Sequence, residues 1–320
     1  PDGEAPLRAD VIGVTSRWLS EPAIRAQMDF PVPDGKNGEN PSGSLVSSMV
    51  VLFYNIELLE AAGIDRPPKT REDLEKLAES LAEKNRAVLS LALAAEAYTD
   101  IYPWFWAAGE RIFPGDGAGS FAGPGFDRQN SIAVLSWLAL LSEKGYLAPN
   151  PFTKTAAGKR DDFRAGRAAM MLAPVSEARE LRKAGVRFDI TTVPVPASYR
   201  DRPVFGLEGW TAGVARTSRR KADARAFVAF LAAKAPRLAA AWGAVPGDTT
   251  QGTYAGDDPL LAKAYSIYEA GESLEDFAAR DGAARLDAAV IEEFRALFAG
   301  RQGAEDTARA ITERWHTAAR

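Results

Sequence analysis

Between Val46 and Tyr54 runs a stretch whose centre, Val50-Val51-Leu52-Phe53-Tyr54, offers an apolar side to both faces of a strand. Such a strand must be covered on both sides, the habit of sheets layered with helices. Other short runs read the same way. Ala9-Asp10-Val11-Ile12-Gly13-Val14 is a second strand, after which Thr15-Ser16 offers a cap for a helix entered at Arg17-Trp18-Leu19. Further strands are expected at Ala168-Ala169-Met170-Met171-Leu172, from Phe188 toward Pro196, and from Glu208 to Val214. Amphipathic helices separate them. Thr70-Arg71-Glu72-Asp73 resembles a capping box, with Leu74, Leu77, Ala78 and Leu81 on one side behind it. After Asn130 an apolar stripe of Val134, Leu135, Trp137, Leu138 and Leu141 stops at Gly145, a left-handed cap. Ser218 is expected to cap a helix with Ala222, Ala226, Phe227, Phe230 and Leu231 inward, and the chain from Pro259 onward reads as helical with breaks at Gly271, Gly282 and Gly300 to Gly303. Strands and helices interleave, so the fold class is α/β with helix in excess. At 320 residues the chain outgrows one ordinary core and suggests two domains.

What the chain lacks narrows its chemistry. With no cysteine there are no disulfides, thiolate zinc sites or Cys nucleophiles. The single histidine, His316, reads as an exposed residue near the end of the last helix, which removes His-based triads and His-rich metal sites. Carboxylate, Lys, Tyr or Ser/Lys chemistry is what remains. A net charge of −4 gives no reason to expect a nucleic-acid partner; the basic cluster Arg216, Arg219, Arg220 and Lys221 reads as a solvated face where a helix begins. No apolar run approaches the roughly 20 residues that span a bilayer. No Gly-rich phosphate loop ending in Gly-Lys-Ser/Thr occurs.

Six segments, in order, carry a resemblance. They are Leu52-Phe53-Tyr54-Asn55 with Leu58-Leu59-Glu60-Ala61-Ala62-Gly63-Ile64 and Pro67-Pro68-Lys69-Thr70; Asp162-Phe163-Arg164-Ala165-Gly166-Arg167-Ala168-Ala169-Met170; Val193-Pro194-Val195-Pro196 with Gly209-Trp210-Thr211-Ala212-Gly213-Val214-Ala215; Phe227-Val228-Ala229-Phe230-Leu231; Trp242-Gly243-Ala244-Val245-Pro246; and Glu293-Phe294-Arg295-Ala296-Leu297-Phe298-Ala299-Gly300. Each is short and weak alone. Together, from about Asp10 to the C-terminus, they resemble the extracellular solute-binding proteins of bacterial ABC importers, in the group of the maltose- and glycerol-phosphate-binding proteins. The resemblance implies a two-lobed, periplasmic-binding-protein-like fold with an interlobe cleft and a hinge. One lobe would take residues 1–50 and 189–243, the other 51–188 and 244–320. The first lobe is expected to be N-terminally short, since Asp10-Val11-Ile12 matches the family's second strand.

The same resemblance implies a function: capture of a small polar ligand (a sugar, an oligosaccharide or glycerol phosphate) and delivery to the transmembrane subunits of an ABC permease. No enzyme activity, cofactor, metal or nucleic acid is expected. The protein is expected as a monomer in the periplasm or otherwise outside the cytoplasm, with a possible lipid tether on an upstream cysteine. Two other readings compete: a glycoside hydrolase working through two carboxylates, and an interaction protein with a degenerate cleft.

A sugar needs aromatic plates for its CH faces and hydrogen-bonding side chains for its rim. Trp210, after Gly209 at a strand edge that the family places beside the cleft, is the leading plate, against the competing reading of a core Trp. Glu208 beside it accepts from two hydroxyls at once, or is a surface acid. Trp104 and Trp106 alternate as on an extended segment, so that one faces the cleft; five consecutive rings also suit a core. Trp242 sits in a family loop near the cleft, whereas Trp137 and Trp315 read as structural. By resemblance, Ser16 and Arg17 lie at the end of a first-lobe strand and Ser47 and Ser48 precede the crossing into the second lobe, with Ser176 a weaker candidate. Ends of strands and starts of helices collect polar ligands, and Arg17 suits an anionic group. A helix cap for Ser16 and a surface ion pair for Arg17 are the structural alternatives.

Overall fold

A computed structural model describes residues 10–15, 27–29, 44–95, 97–112, 124–197, 204–246, 257–274 and 283–318. Within them lie nine strands: β1 Val11–Thr15, β2 Met28–Asp29, β3 Ser44–Asn55, β4 Ala87–Ser90, β5 Ala168–Pro174, β6 Phe188–Thr191, β7 Val204–Ala215, β8 Val245–Pro246 and β9 Glu272–Leu274. The main path runs β1-β7-β3-β5-β4.

The long strand β3 belongs to two environments. Its first half pairs antiparallel with β7, from Ser44 opposite Thr211 to Met49 opposite Leu207. Its second half, from Val50 on, pairs with β5 on one side and β6 on the other. The apolar centre expected to be covered on both faces is covered so: Val50 and Leu52 enter one core, Val51 and Phe53 another. β1 extends the sheet beyond β7, β2 pairs with Val214 and Ala215 of β7 along the edge that also carries β3, and β8 pairs with Val46 and Ser47 of β3. β4 lies parallel to β5. β6, which starts where the expected lobe boundary falls, joins the half of the sheet built on β5, with Ile190 buried in that half's core.

Helices cover the β5 half. Thr70 Oγ1 accepts the Asp73 N–H at 3.1 Å and starts the Arg71–Ala82 helix, which buries Leu74, Leu77, Ala78 and Leu81 as its spacing predicts. The Gln129–Glu143 helix buries Val134, Leu135, Leu138 and Leu141, and the Ala304–Ala318 helix packs on it beside Ala283–Phe298. Gly145 takes φ +69° after the first of these, the left-handed conformation that favours glycine.

Three expectations fail. The Lys221–Ala233 helix turns inward Ala224 and Val228, while Phe227 and Phe230 stand 51% and 56% exposed. Because apolar residues occupy almost every side of this helix, periodicity does not select a face; the contact with Ala212 and Val214 of β7 does. Ser218 accepts the Arg220 N–H and donates to Asp10, so it fixes the turn before the helix rather than capping it. β9 interrupts the expected all-helical end by pairing with β7 in parallel.

Candidate functional site

A cavity of about 340 Å³ opens where three pieces of chain converge: the segment after β4 with Ala92, Ala95, Thr99 and Asp100, the start of the Ala156–Arg164 helix, and the end of β5 running into the Val175–Glu177 turn. Thr155 starts the helix by accepting the Gly158 N–H at 3.3 Å. That first turn places Lys159 and Arg160 at the cavity beside Lys154.

Charge in the wall is paired. Lys159, its side chain 4% exposed, donates to both Asp100 oxygens at 2.7 and 2.9 Å and to the Leu172 carbonyl of β5 at 2.6 Å. The Ala92 N–H donates to the same carboxylate at 2.8 Å. Burial pushes the Asp100 carboxyl above the usual carboxylate range, against the pull of Lys159 and the Ala92 N–H. Lys154 pairs with Asp162 at 2.5 Å and donates to Ser90, which itself donates to Asp162. Burial raises Asp162 as well, but hydrogen bonds from Lys154, Arg167 and Ser90 outweigh it and hold the carboxyl below its usual range. Nearer the solvent, Arg160 and Glu177 pair at 2.9 Å. The result is a set of fixed donors and acceptors between small apolar walls of Ala92, Ala156, Ala173 and Pro174. Such a surface hydrogen-bonds a polar solute without having to reorganise.

The expected site residues fall into three groups. Ser16 and Arg17 lie outside the described residues. Ser47, Ser48, Glu208, Gly209 and Trp210 come together across two neighbouring strands, Ser47 opposite Gly209 and Ser48 opposite Glu208. Trp210, opposite Thr15 and Val46, is 46% exposed, so its ring is not a core ring. Trp242 ends the Ala235–Trp242 helix and is 47% exposed. The next residue, Gly243 at φ +67°, lies so near Ser176 that an added Cβ would sit 3.9 Å from the Ser176 Cα, and Ser176 adjoins the cavity residue Glu177. The third group is Trp104 and Trp106, which the fold sends elsewhere. Tyr102 to Trp106 is a short helix, not an extended segment, and all five side chains are buried. Trp104 packs on Trp137 with ring centres 5.1 Å apart and Trp106 on Tyr98 at 5.6 Å. Trp104 still serves the cavity at one remove, since its indole N–H donates to the Asp100 carbonyl at 3.0 Å.

Asp100, Lys154, Lys159, Arg160 and Glu177 escaped the sequence reading. Lys159 and Arg160 look like the solvated side of a helix. Asp100 did carry a signal: it is the lone charge between Ala97 and Ala108, and a carboxylate in so apolar a run needs a buried partner.

No curated protein sequence matches the chain. Solved structures do share its fold. The GacH receptor of Streptomyces glaucescens, determined unliganded and with acarbose, superposes with a TM-score of 0.78 at 16% identity, over 96% of this chain and 83% of that one. The ABC substrate-binding protein Lmo0181 of Listeria monocytogenes, in complex with cycloalternan, gives 0.77 at 16% identity over 97% and 84%. Maltose-bound MalE3 of T. maritima gives 0.78 at 16% over 97% and 85%. The architecture is thus the two-lobed one of periplasmic binding proteins. A family model described as bacterial extracellular solute-binding protein matches residues 26–237, about two thirds of the sequence, and the chain therefore belongs to that family.

Proposed function

We propose that the protein is the receptor of an ABC importer, capturing a sugar or oligosaccharide and presenting it to the permease. The observation that carries this reading is the company Trp210 and Trp242 keep. Trp210 stands half exposed on β7 opposite Val46 of β3, and Trp242 stands half exposed at the end of its helix. Gly243 after it lies beside Ser176, the neighbour of Glu177 in the wall of a polar, ion-paired cavity. Flat apolar plates beside fixed hydrogen-bonding groups suit a carbohydrate better than an apolar solute. Structural relatives crystallised with acarbose, cycloalternan and maltose point the same way.

In this reading one lobe centres on β1, β7 and the first half of β3, roughly residues 1–50 and 189–243. The other takes 51–188 and 244–320. The pairings of β6 and β8 favour moving each of those two short strands across its boundary. Ligand touching both lobes favours the closed state, and the closed state is what the permease recognises. The protein acts as a monomer outside the cytoplasmic membrane, free or lipid-tethered, and carries out no chemistry on its cargo. Asp100 and Glu177, the two carboxylates in the cavity wall, are each held by a cation rather than set apart as an acid and a nucleophile.

Thermal unfolding against a panel of mono- and oligosaccharides, polyols and glycerol phosphates tests the reading. A ligand at about 100 times its Kd stabilises the native state by about 2.7 kcal/mol, a rise of several degrees. A rise with one carbohydrate class supports the proposal. A well-folded sample that no solute stabilises, or turnover of an aryl glycoside, defeats it.

A further inference from the structure

The Lys221–Ala233 helix buries only Ala224 and Val228 and leaves its two largest apolar side chains, Phe227 and Phe230, toward solvent. Phe227 and Phe230, half exposed, are three residues apart and so share a side. Next to them Ala222, Ala226, Ala229 and Ala233 follow one another at helical spacing, all exposed. The inward side is complete without these residues, since Ala224 and Val228 already close the contact with β7.

Cations frame this strip. Between Arg216 and Arg237 stand seven Lys or Arg and one acid, Asp223, although the whole chain carries −4. Arg216, Arg219, Arg220, Arg225, Lys234 and Arg237 are exposed. The Lys234 ammonium lies 5.9 Å from the Phe230 ring centre, so charge and ring share one surface.

What covers such a face must be apolar where the rings enter and anionic around them. A second copy of the chain fails this condition, because a two-fold contact would set two cationic rims against each other. The interface of an anionic bilayer meets it: acyl chains receive Phe and Ala while headgroups receive Arg and Lys. We propose that the Lys221–Ala233 helix, with its flanking cations, is a docking surface for membranes rich in anionic phospholipid. It holds the protein reversibly at the bilayer, whatever the identity of the solute.

Cosedimentation of the intact protein with phosphatidylglycerol vesicles and with phosphatidylcholine vesicles, at low and high salt, tests this. Binding is expected on phosphatidylglycerol, at least about tenfold weaker on phosphatidylcholine, and falling as salt rises. A Phe227→Ser/Phe230→Ser variant is expected to lose about tenfold in vesicle binding while melting like the parent. An Arg225→Glu/Arg237→Glu variant, equally confined to exposed positions, is expected to lose at least as much. Three results overturn the proposal: no binding to phosphatidylglycerol at low salt, equal binding to both lipids, or binding that neither double variant weakens. Should vesicles fail while an acidic segment of the permease binds through the same residues, the surface is a protein contact instead.

Discussion

The two halves of the sheet treat the same residue types in opposite ways. Around β4 and β5 the aromatic side chains go inside: Tyr102, Trp104, Phe105, Trp106 and Phe126 are at most 1% exposed and pack edge to face or tilted. Around β1 and β7 the buried clusters are small, with Ala212, Val214, Ala224 and Val228 in one and Val46, Ala239 and Ala244 in the other. Trp210, Trp242, Phe227 and Phe230 stand out from that half into solvent. Ion pairs follow the same division. Lys159–Asp100 is sealed in the first half, whereas Arg220 holds Asp10 with its own side chain 72% exposed in the second. The first half buries its aromatic rings in the core, whereas the second leaves its rings available for contacts.

That contrast can be broken by substitution. Trp104→Ala is expected to cost about 3–5 kcal/mol in urea unfolding, because it empties a fully buried site and releases the Asp100 carbonyl. A cost below about 1 kcal/mol would mean that the aromatic helix is not part of the core. Lys159→Met should come next, at about 3 kcal/mol or more, since it strands a buried carboxylate; pairing it with Asp100→Leu should recover much of the loss. A double variant no better than the single would show that Lys159 acts through the Leu172 carbonyl instead.

A pH series sharpens the comparison within the first half. Asp162 has its folded pKa below the unfolded value near 3.9, so its stabilisation is fully present above that pH. The contribution is lost as pH falls through the folded value. Melting temperature should thus drop on acidification below about pH 4, and Asp162→Asn should flatten that drop. Asp100 works in the opposite sense, because burial raises it and folding favours its protonated form.

The smallest effects on stability belong to the exposed half. Arg220→Ala should leave the melting temperature unchanged within error, as exposed ion pairs usually do. Trp210→Ala should cost less than about 1 kcal/mol, yet abolish the ligand-induced rise in melting temperature. A Trp210→Ala protein that melts far below the parent would assign this ring to the core after all.

How much of this could be read from residues alone depended on how local the deciding physics is. The Arg71–Ala82 helix, its Thr70 cap and its buried leucines were legible, because a cap and a stripe of large apolar side chains settle the matter within a dozen residues. The pairing of Ser47 and Ser48 with Gly209 and Glu208 was reachable only through the order of family segments, as register across more than 150 residues leaves no local trace. For Trp104 and Trp106 the core reading holds and the extended one does not, because alternation over five residues does not distinguish a strand from a single helical turn.

The sequence by itself determined the α/β class, the lack of any cysteine and of more than one histidine, and the strand that both halves share, all of which follow from composition and short-range pattern. The tertiary structure decided which aromatic rings face solvent and which helix face turns inward. It also decided that Asp100, Lys159 and Glu177 meet at one cavity. Those outcomes depend on which distant surface reaches a residue first, and burial and ion pairing are properties of that contact, not of the residue.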